Sequence, residues 1–335
     1  MSPSNFALVM ATGIVSIAAH LLGFVWISKP LFFFNGSAYL VLWVLTVLRI
    51  TRYRPEVLTD LTTHSVGAGF LTIVAATCVL GSQSILLFDW FGLATVLLGI
   101  GAFFWIVLTY AIFTVFTIKQ DKPSLAKGIN GGWLLAVVAT QSVAVLTALL
   151  AAHWGQPTRL HANYFALSMW LWGGMFYIWI ISLIFYRYTF FRFDPADLAP
   201  PYWINMGAMA ISVLAGSLLI ANSDGGAPFL HSARPFLEGF TIFYWATGSW
   251  WIPIIAILAV WRYGYRRLPF EYDPLYWGAV FPLGMYSAAT YKMAEVMNLG
   301  FLDIVPKVFL AIALVAWLAT LIGMFRSIHR RLRPA

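Results

Sequence analysis

Long apolar runs separated by short polar links fill the chain from end to end. A helix that crosses a bilayer needs about 20 mostly apolar residues. Ten runs reach that length, at roughly 5–27, 31–50, 63–81, 89–117, 129–152, 162–189, 202–222, 235–263, 274–297 and 303–327. No link is long enough for a separate soluble domain, so 1–335 reads as a single transmembrane domain. The pattern predicts an all-α integral membrane protein of ten spans.

The spans fall into two kinds. The third, fifth and seventh (SVGAGFLTIVAATCVLG, INGGWLLAVVATQSVAVLTALLA and INMGAMAISVLAGSLLIA) are rich in Gly, Ala, Ser and Thr. The even spans carry the aromatics, as in LFFFNGSAYLVLWVL and MWLWGGMFYIWIISLIFYRYTFF. Small residues let helices approach closely or leave room for a lumen. Large aromatics suit lipid and the membrane interface. This predicts an inner ring of odd helices and an outer ring of even ones; a solid bundle glued by small residues fits the composition equally well. A sparse repeat runs through the odd spans. Gly67, Gly131, Gly207 and Gly278 lie near span starts, with Ala75, Ala139, Ala215 and, breaking the rule, Tyr286 eight residues later. Such a repeat predicts five like-oriented hairpins.

Composition supports the membrane reading. Charged residues make up 10% of the chain, against about 25% in a soluble domain. The net charge of +8 is not a nucleic-acid footprint, because its basic residues sit in short clusters between apolar runs. Those clusters follow the even spans: Arg49, Arg52 and Arg54; Lys119, Lys122 and Lys127; Arg187 and Arg192; Arg262, Arg266 and Arg267; Arg326, Arg330, Arg331 and Arg333. The opposite side has Lys29, Arg159 and Arg234. Positive charge marks the cytoplasmic side, so both termini are expected in the cytoplasm. Met1 to Asn5 has no Lys or Arg and lacks the charged start of a secretory signal. The first span is therefore expected to be retained.

The sequence carries none of the common catalytic signatures. There is no G-x-x-x-x-G-K-S/T loop, no G-x-S-x-G and no H-E-x-x-H. The single cysteine, Cys78, lies inside an apolar run, and the six histidines are scattered. No metal or cofactor is expected, and transport is favoured over an embedded enzyme or a sensor. Ionisable groups at membrane depth are functional candidates. Lys292 and Glu295 share one face of the ninth span, as a structural ion pair or as part of an electropositive mouth. Glu238 opens the eighth span from outside, and His20 lies near the outer end of the first. At the centre of the ninth span, Phe281 precedes Pro282. Proline tends to kink a helix, and a ring pushed into a lumen would form a dry constriction. On the residues alone, Phe281 reads first as a core or lipid-facing side chain.

WGAVFPLGMYSAATYKMAE (277–295) closely resembles the ninth helix of the plant guard-cell slow anion channel. PPYWINMGAMAISVLAG (200–216) and NFALVMATGIVSIA (5–18) are similar to segments of its bacterial relatives. The chain thereby resembles, end to end, the tellurite-resistance/dicarboxylate transporter family of the cell membrane. The resemblance implies five hairpins in quasi-fivefold arrangement, odd helices lining a central pore, and a homotrimer with one pore per chain. It implies a ninth-helix gate at Phe281 beside Pro282, and a small inorganic or carboxylate anion as cargo. Taken with the repeat, it suggests Gly13, Phe70, Ala139, Ala215 and Tyr286 as further lining residues. Lys292, Glu295 and Glu238 are vestibule candidates. The expected function is an anion channel or exporter. A proton-coupled dicarboxylate or sulfite carrier is the alternative, with Glu238 or Glu295 as its titrating group.

Overall fold

A computed structural model describes residues 2–224, 227–268 and 272–332; Arg333 of the terminal basic cluster lies outside them. Ten long helices account for most of the described chain. They are α1 (Ala7–Leu21), α2 (Val25–Arg52), α3 (Thr72–Phe88), α4 (Phe91–Ile118), α5 (Leu135–Ala151), α6 (Thr158–Phe190), α7 (Ile204–Ser223), α8 (Pro228–Val260), α9 (Trp277–Met297) and α10 (Ile304–Leu332). Nine of the ten are long and apolar enough to cross a membrane. The exception, α9, carries Ser287, Thr290, Lys292 and Glu295, and is mostly buried between its neighbours.

Contacts order the helices into rings. Each odd helix packs against the even helix that follows it, which makes five hairpins. The odd helices also pack on one another in sequence, α1 on α3, α3 on α5, α5 on α7, α7 on α9, and α9 returns to α1. Each even helix additionally touches the next odd helix around the circle. Burial follows this order. In the most apolar stretch of Gly131–Ala151, 94% of residues are buried, against 17% for Gly300–Arg330. The inner helices are buried on all sides, and the outer ones give one face to lipid.

A second regularity marks the start of each odd helix. A short 3-10 turn precedes every one: Pro3–Phe6, Gly67–Leu71, Gly131–Leu134, Pro200–Trp203 and Pro274–Tyr276. Side chains just ahead of three turns accept backbone N–H groups that would otherwise be orphaned, Ser2 from Ser4, Asn130 from Gly132 and Asp273 from Leu275. Proline near the start is cheap, because its missing N–H would have had no helical partner. These turns carry the true internal repeat. Gly67 and Gly131 belong to it; Gly207 and Gly278 do not, since both lie within helices. Their counterparts are Pro200 and Pro274.

The first hairpin also turns earlier than its sequence suggests. Lys29-Pro30 reads as a break, yet Pro30 lies inside α2. The reversal occurs at Leu22–Phe24, where Gly23 adopts φ +84°, a conformation that costs glycine little. Asp89 (φ 54°) and Asn298 (φ 56°) end α3 and α9 in the same left-handed region.

Candidate functional site

The five odd helices enclose two cavities on one axis. The first, about 410 Å³, lies at the basic side and is walled by the 3-10 turns, with Ser4, Gly69, Gly131, Pro201 and Leu275 contributed one from each. The second, about 80 Å³, lies toward the other side and is lined mainly by Ile, Leu and Val, with Ser82, Ser142 and Lys292. One residue from each odd helix lines the first cavity, and the residue seven further on lines the second. The pairs are Ala7 and Ile14, Thr72 and Val79, Leu135 and Ser142, Ile204 and Ile211, and Gly278 and Met285. Seven residues are two helical turns, about 10 Å of rise. The lining is therefore a set of parallel stripes, one per inner helix.

Between the paired positions lies the level that separates the cavities. On α1 the intervening turn brings Met10, which also lines the first cavity, with Ala11; on α3, α5 and α7 it brings small or modest residues, Ala75, Val138 with Ala139, and Gly207 with Ala208. On α9 it brings Phe281, which is fully buried and is three residues past Gly278 and four before Met285. Helical periodicity sets it on the same stripe as both. The backbones crowd here. A Cβ on Gly207 would sit 2.6 Å from Pro282 Cγ, and one on Gly284 would sit 3.1 Å from Ile14 Cγ2. Two glycines thus bring α7 and α1 close against α9 on either side of Phe281.

Of the sequence-predicted residues, Phe281 lies between the lining positions Gly278 and Met285, Ala139 lies between Leu135 and Ser142, and Pro282 sits against Gly207 of α7. The others lie elsewhere. Gly13 sits in the seam of α1 with α2 and α3, where an added Cβ would meet Val79 at 2.4 Å. Phe70 borders a peripheral cleft beside Pro3, Phe6 and Ile73. Ala215 is buried in α7 beside the lining residue Leu214. Tyr286 turns outward. Its hydroxyl bonds Ser249 of α8 at 2.6 Å, and its ring packs on Trp245 and on Phe309 of α10.

The cavities have unlike electrostatics. The basic-side cavity is lined by Lys127, Arg187 and Asp197. Arg187 is nearly buried; it donates to Ala126 O at 2.8 Å and to the Tyr202 hydroxyl, and its guanidinium lies 3.7 Å from Asp197. His64, beside the lining residue Ser65, stacks on Phe116 at 4.2 Å. Burial, then Lys119 and Lys122, hold its pKa below the ordinary histidine value, so it is neutral near pH 7. In the second cavity the charged lining residue is Lys292, which bonds Glu295 at 2.5 Å. Glu238 lines neither cavity and pairs with Arg234 at 2.9 Å. Among the described residues, no three His, Cys, Asp or Glu side chains gather into a metal-binding group.

Sequence reading assigned the even-helix aromatics to lipid, and at least one from each even helix proves to face inward. Each reaches the next inner helix: Tyr39 to the Thr77 hydroxyl at 2.9 Å, Trp105 to that of Thr140 at 2.8 Å, Trp170 to Ser212 O at 2.8 Å, Trp245 to the Thr290 hydroxyl at 3.0 Å and Trp317 to that of Thr12 at 2.9 Å. The faint sequence signal was a hydroxyl residue midway along every odd span. Its partner is far away in the chain, and nothing local selects it among the many aromatics.

The profile of the voltage-dependent anion channel family matches residues 1–325. The chain belongs to that family. It is a multi-pass membrane protein, and two of its relatives are named as uncharacterized transporters. Two uncharacterized transporters of Methanocaldococcus jannaschii are similar to it along nearly their whole length. One is 28% identical, covering 98% of this chain and 93% of the relative. The other is 27% identical, covering 97% and 94%. An uncharacterized membrane protein of Mycobacterium tuberculosis is 33% identical over 45% of this chain and 76% of its own.

Proposed function

We propose that the chain is a channel or exporter for small anions, C4-dicarboxylates included, closed on its axis by Phe281. One observation carries the reading: two cavities, each lined by all five inner helices, are interrupted at the level where Phe281 completes the α9 stripe. A phenyl ring among apolar neighbours, Met10 of α1 included, excludes water, and a dewetted constriction blocks ions without a plug. The mostly apolar stripes offer an anion no tight ligand cage. Selection then rests on the cost of stripping its water and on the positive groups at either mouth, Lys127 and Arg187 at one and Lys292 at the other. Ala139 and Pro282 shape the closure. In this reading the basic side faces the cytoplasm of a cell membrane, and three chains associate as a homotrimer with one pathway each. The direct test is anion flux into liposomes. Phe281→Ala should conduct where the unaltered protein is nearly silent; unchanged flux would sink the gate.

A further inference from the structure

The largest cavity among those described lies off the axis. It is a crevice of about 1010 Å³ on the outer flank of α9, between α8 and α10, at the basic side. Its origin is local. Near their middles α8 and α9 are joined by Trp245 to Thr290 and by Ser249 to Tyr286. Beyond Pro253, which removes one backbone donor from α8, α8 runs on into a π-helical turn at Trp261–Tyr265. The space between Ile255 and Ala259 on α8 and Val280 and Leu283 on α9 is open. Its two ends differ chemically. The deep end is apolar, with Ala279, Leu283 and Ala316. The mouth holds Arg326, Ser327 and Arg330 on α10, the two arginines one helical turn apart. Tyr263 and Tyr276, whose hydroxyls bond each other at 2.7 Å, also line it, and tyrosines favour headgroup depth. No carboxylate is among the described residues that line the crevice.

We propose that this crevice is a binding site for an anionic phospholipid of the basic-side leaflet. The phosphate sits at Arg326 and Arg330, and an acyl chain runs inward to Leu283. Charge complementarity selects the occupant. Basic pockets between transmembrane helices attract anionic headgroups, and a free phosphate would leave the apolar depth unfilled. The site has a consequence for gating, which rests on the proposed function. Val280 and Leu283 flank Phe281 and Pro282 in sequence, so the crevice is the free volume behind the gate. If α9 bends at Pro282 to clear the axis, it moves into that volume. A seated acyl chain occupies it and holds the pathway closed.

Lipid retention tests the site independently of conduction. The full-length protein is equilibrated in micelles with equal phosphatidylglycerol and phosphatidylcholine, and bound lipid is read by native mass spectrometry. The unaltered protein should retain phosphatidylglycerol preferentially. Arg326→Gln with Arg330→Gln should weaken that retention about thirtyfold, whereas Arg52→Gln with Arg54→Gln, in another basic cluster, should leave it intact. Ala319→Trp, which fills the crevice, should expel the lipid while the protein still melts cooperatively. No preference, equal loss in both arginine pairs, or retention in Ala319→Trp overturns the site. Flux is then compared in vesicles with and without phosphatidylglycerol. It should be lower with that lipid, and the difference should vanish in the Arg326/Arg330 pair. Equal flux with preserved binding overturns the restraint on the gate; absence of flux in Phe281→Ala as well refutes the channel reading and leaves the binding result standing.

Discussion

Trp317 donates its indole N–H to the Thr12 hydroxyl at 2.9 Å, across 305 residues of sequence. The bond joins the last hairpin to the first. Four equivalent aromatic contacts join the other neighbours, so the five hairpins form a closed circle. In lipid there is little hydrophobic drive between helices, and packing plus such bonds hold them together.

Thr12→Val should therefore destabilise the protein modestly, because it strands a buried indole N–H. Interhelical hydrogen bonds in membranes contribute about 0.6 kcal/mol on average and up to about 1.7. A double-mutant cycle of Thr12→Val with Trp317→Phe, read by reversible unfolding in mixed micelles, should give a coupling in that range. Simple additivity would mean that the contact stabilises nothing.

Gly207→Ala should destabilise by about 1–3 kcal/mol, the usual range for overpacking a tight core. The added Cβ falls 2.6 Å from Pro282 Cγ, part of a ring that cannot rotate away. Pro282→Ala removes that atom. The double variant should thus recover part of the loss in a melting experiment, a non-additivity expected of touching residues. Full additivity would show that α7 and α9 do not press together here.

Lys292 and Glu295 should have opposite effects on anion flux. With Lys292→Gln, Glu295 is left without its partner beside the second cavity, and flux in an opened Phe281→Ala background should fall several-fold. With Glu295→Gln, the lysine is freed and flux should rise. Each ion then feels a charge at a few ångströms in a partly wet environment, worth about 1–4 kcal/mol before screening. Equal responses in liposome flux would remove the pair from the pathway.

A channel needs no proton partner. Flux through Phe281→Ala at zero voltage should be indifferent to an imposed pH gradient, and Glu238→Gln should leave it unchanged, since Glu238 lines neither cavity. Uphill anion accumulation driven by protons, abolished by Glu295→Gln, would favour the carrier instead.

Much of this architecture is legible in the chain because span length and charge alternation are local properties. The ten helices follow from span length directly, and a basic cluster marks the end of each even one. The end of the first span was misplaced because Pro30 is a stronger helix breaker on paper than Gly23, yet Pro30 lies inside α2, in its second turn. The repeat was read out of register because glycine serves two purposes here. Gly67 and Gly131 open 3-10 turns, whereas Gly207 brings two helices together, and the letter does not distinguish them. The seven-residue lining stripes were hidden for a related reason. Inner helices are buried on every side, so no polar face marks the one that meets the axis. Ala139 lies between the lining residues Leu135 and Ser142, while Tyr286, eight residues past its own glycine, turns outward to Ser249. The aromatic contacts are pairings between distant segments, which a single sequence does not encode visibly.

The bond from Trp317 to Thr12 also sets a timetable. A ribosome delivers the first hairpin long before the last. Until Trp317 enters the bilayer, one flank of α1 faces lipid instead of α9 and α10. Every shorter nascent product is an arc with two raw edges, and each raw edge can recruit the wrong neighbour. Assembly quality therefore depends on how the cell shelters an unfinished circle during the minutes or seconds before its final segment arrives.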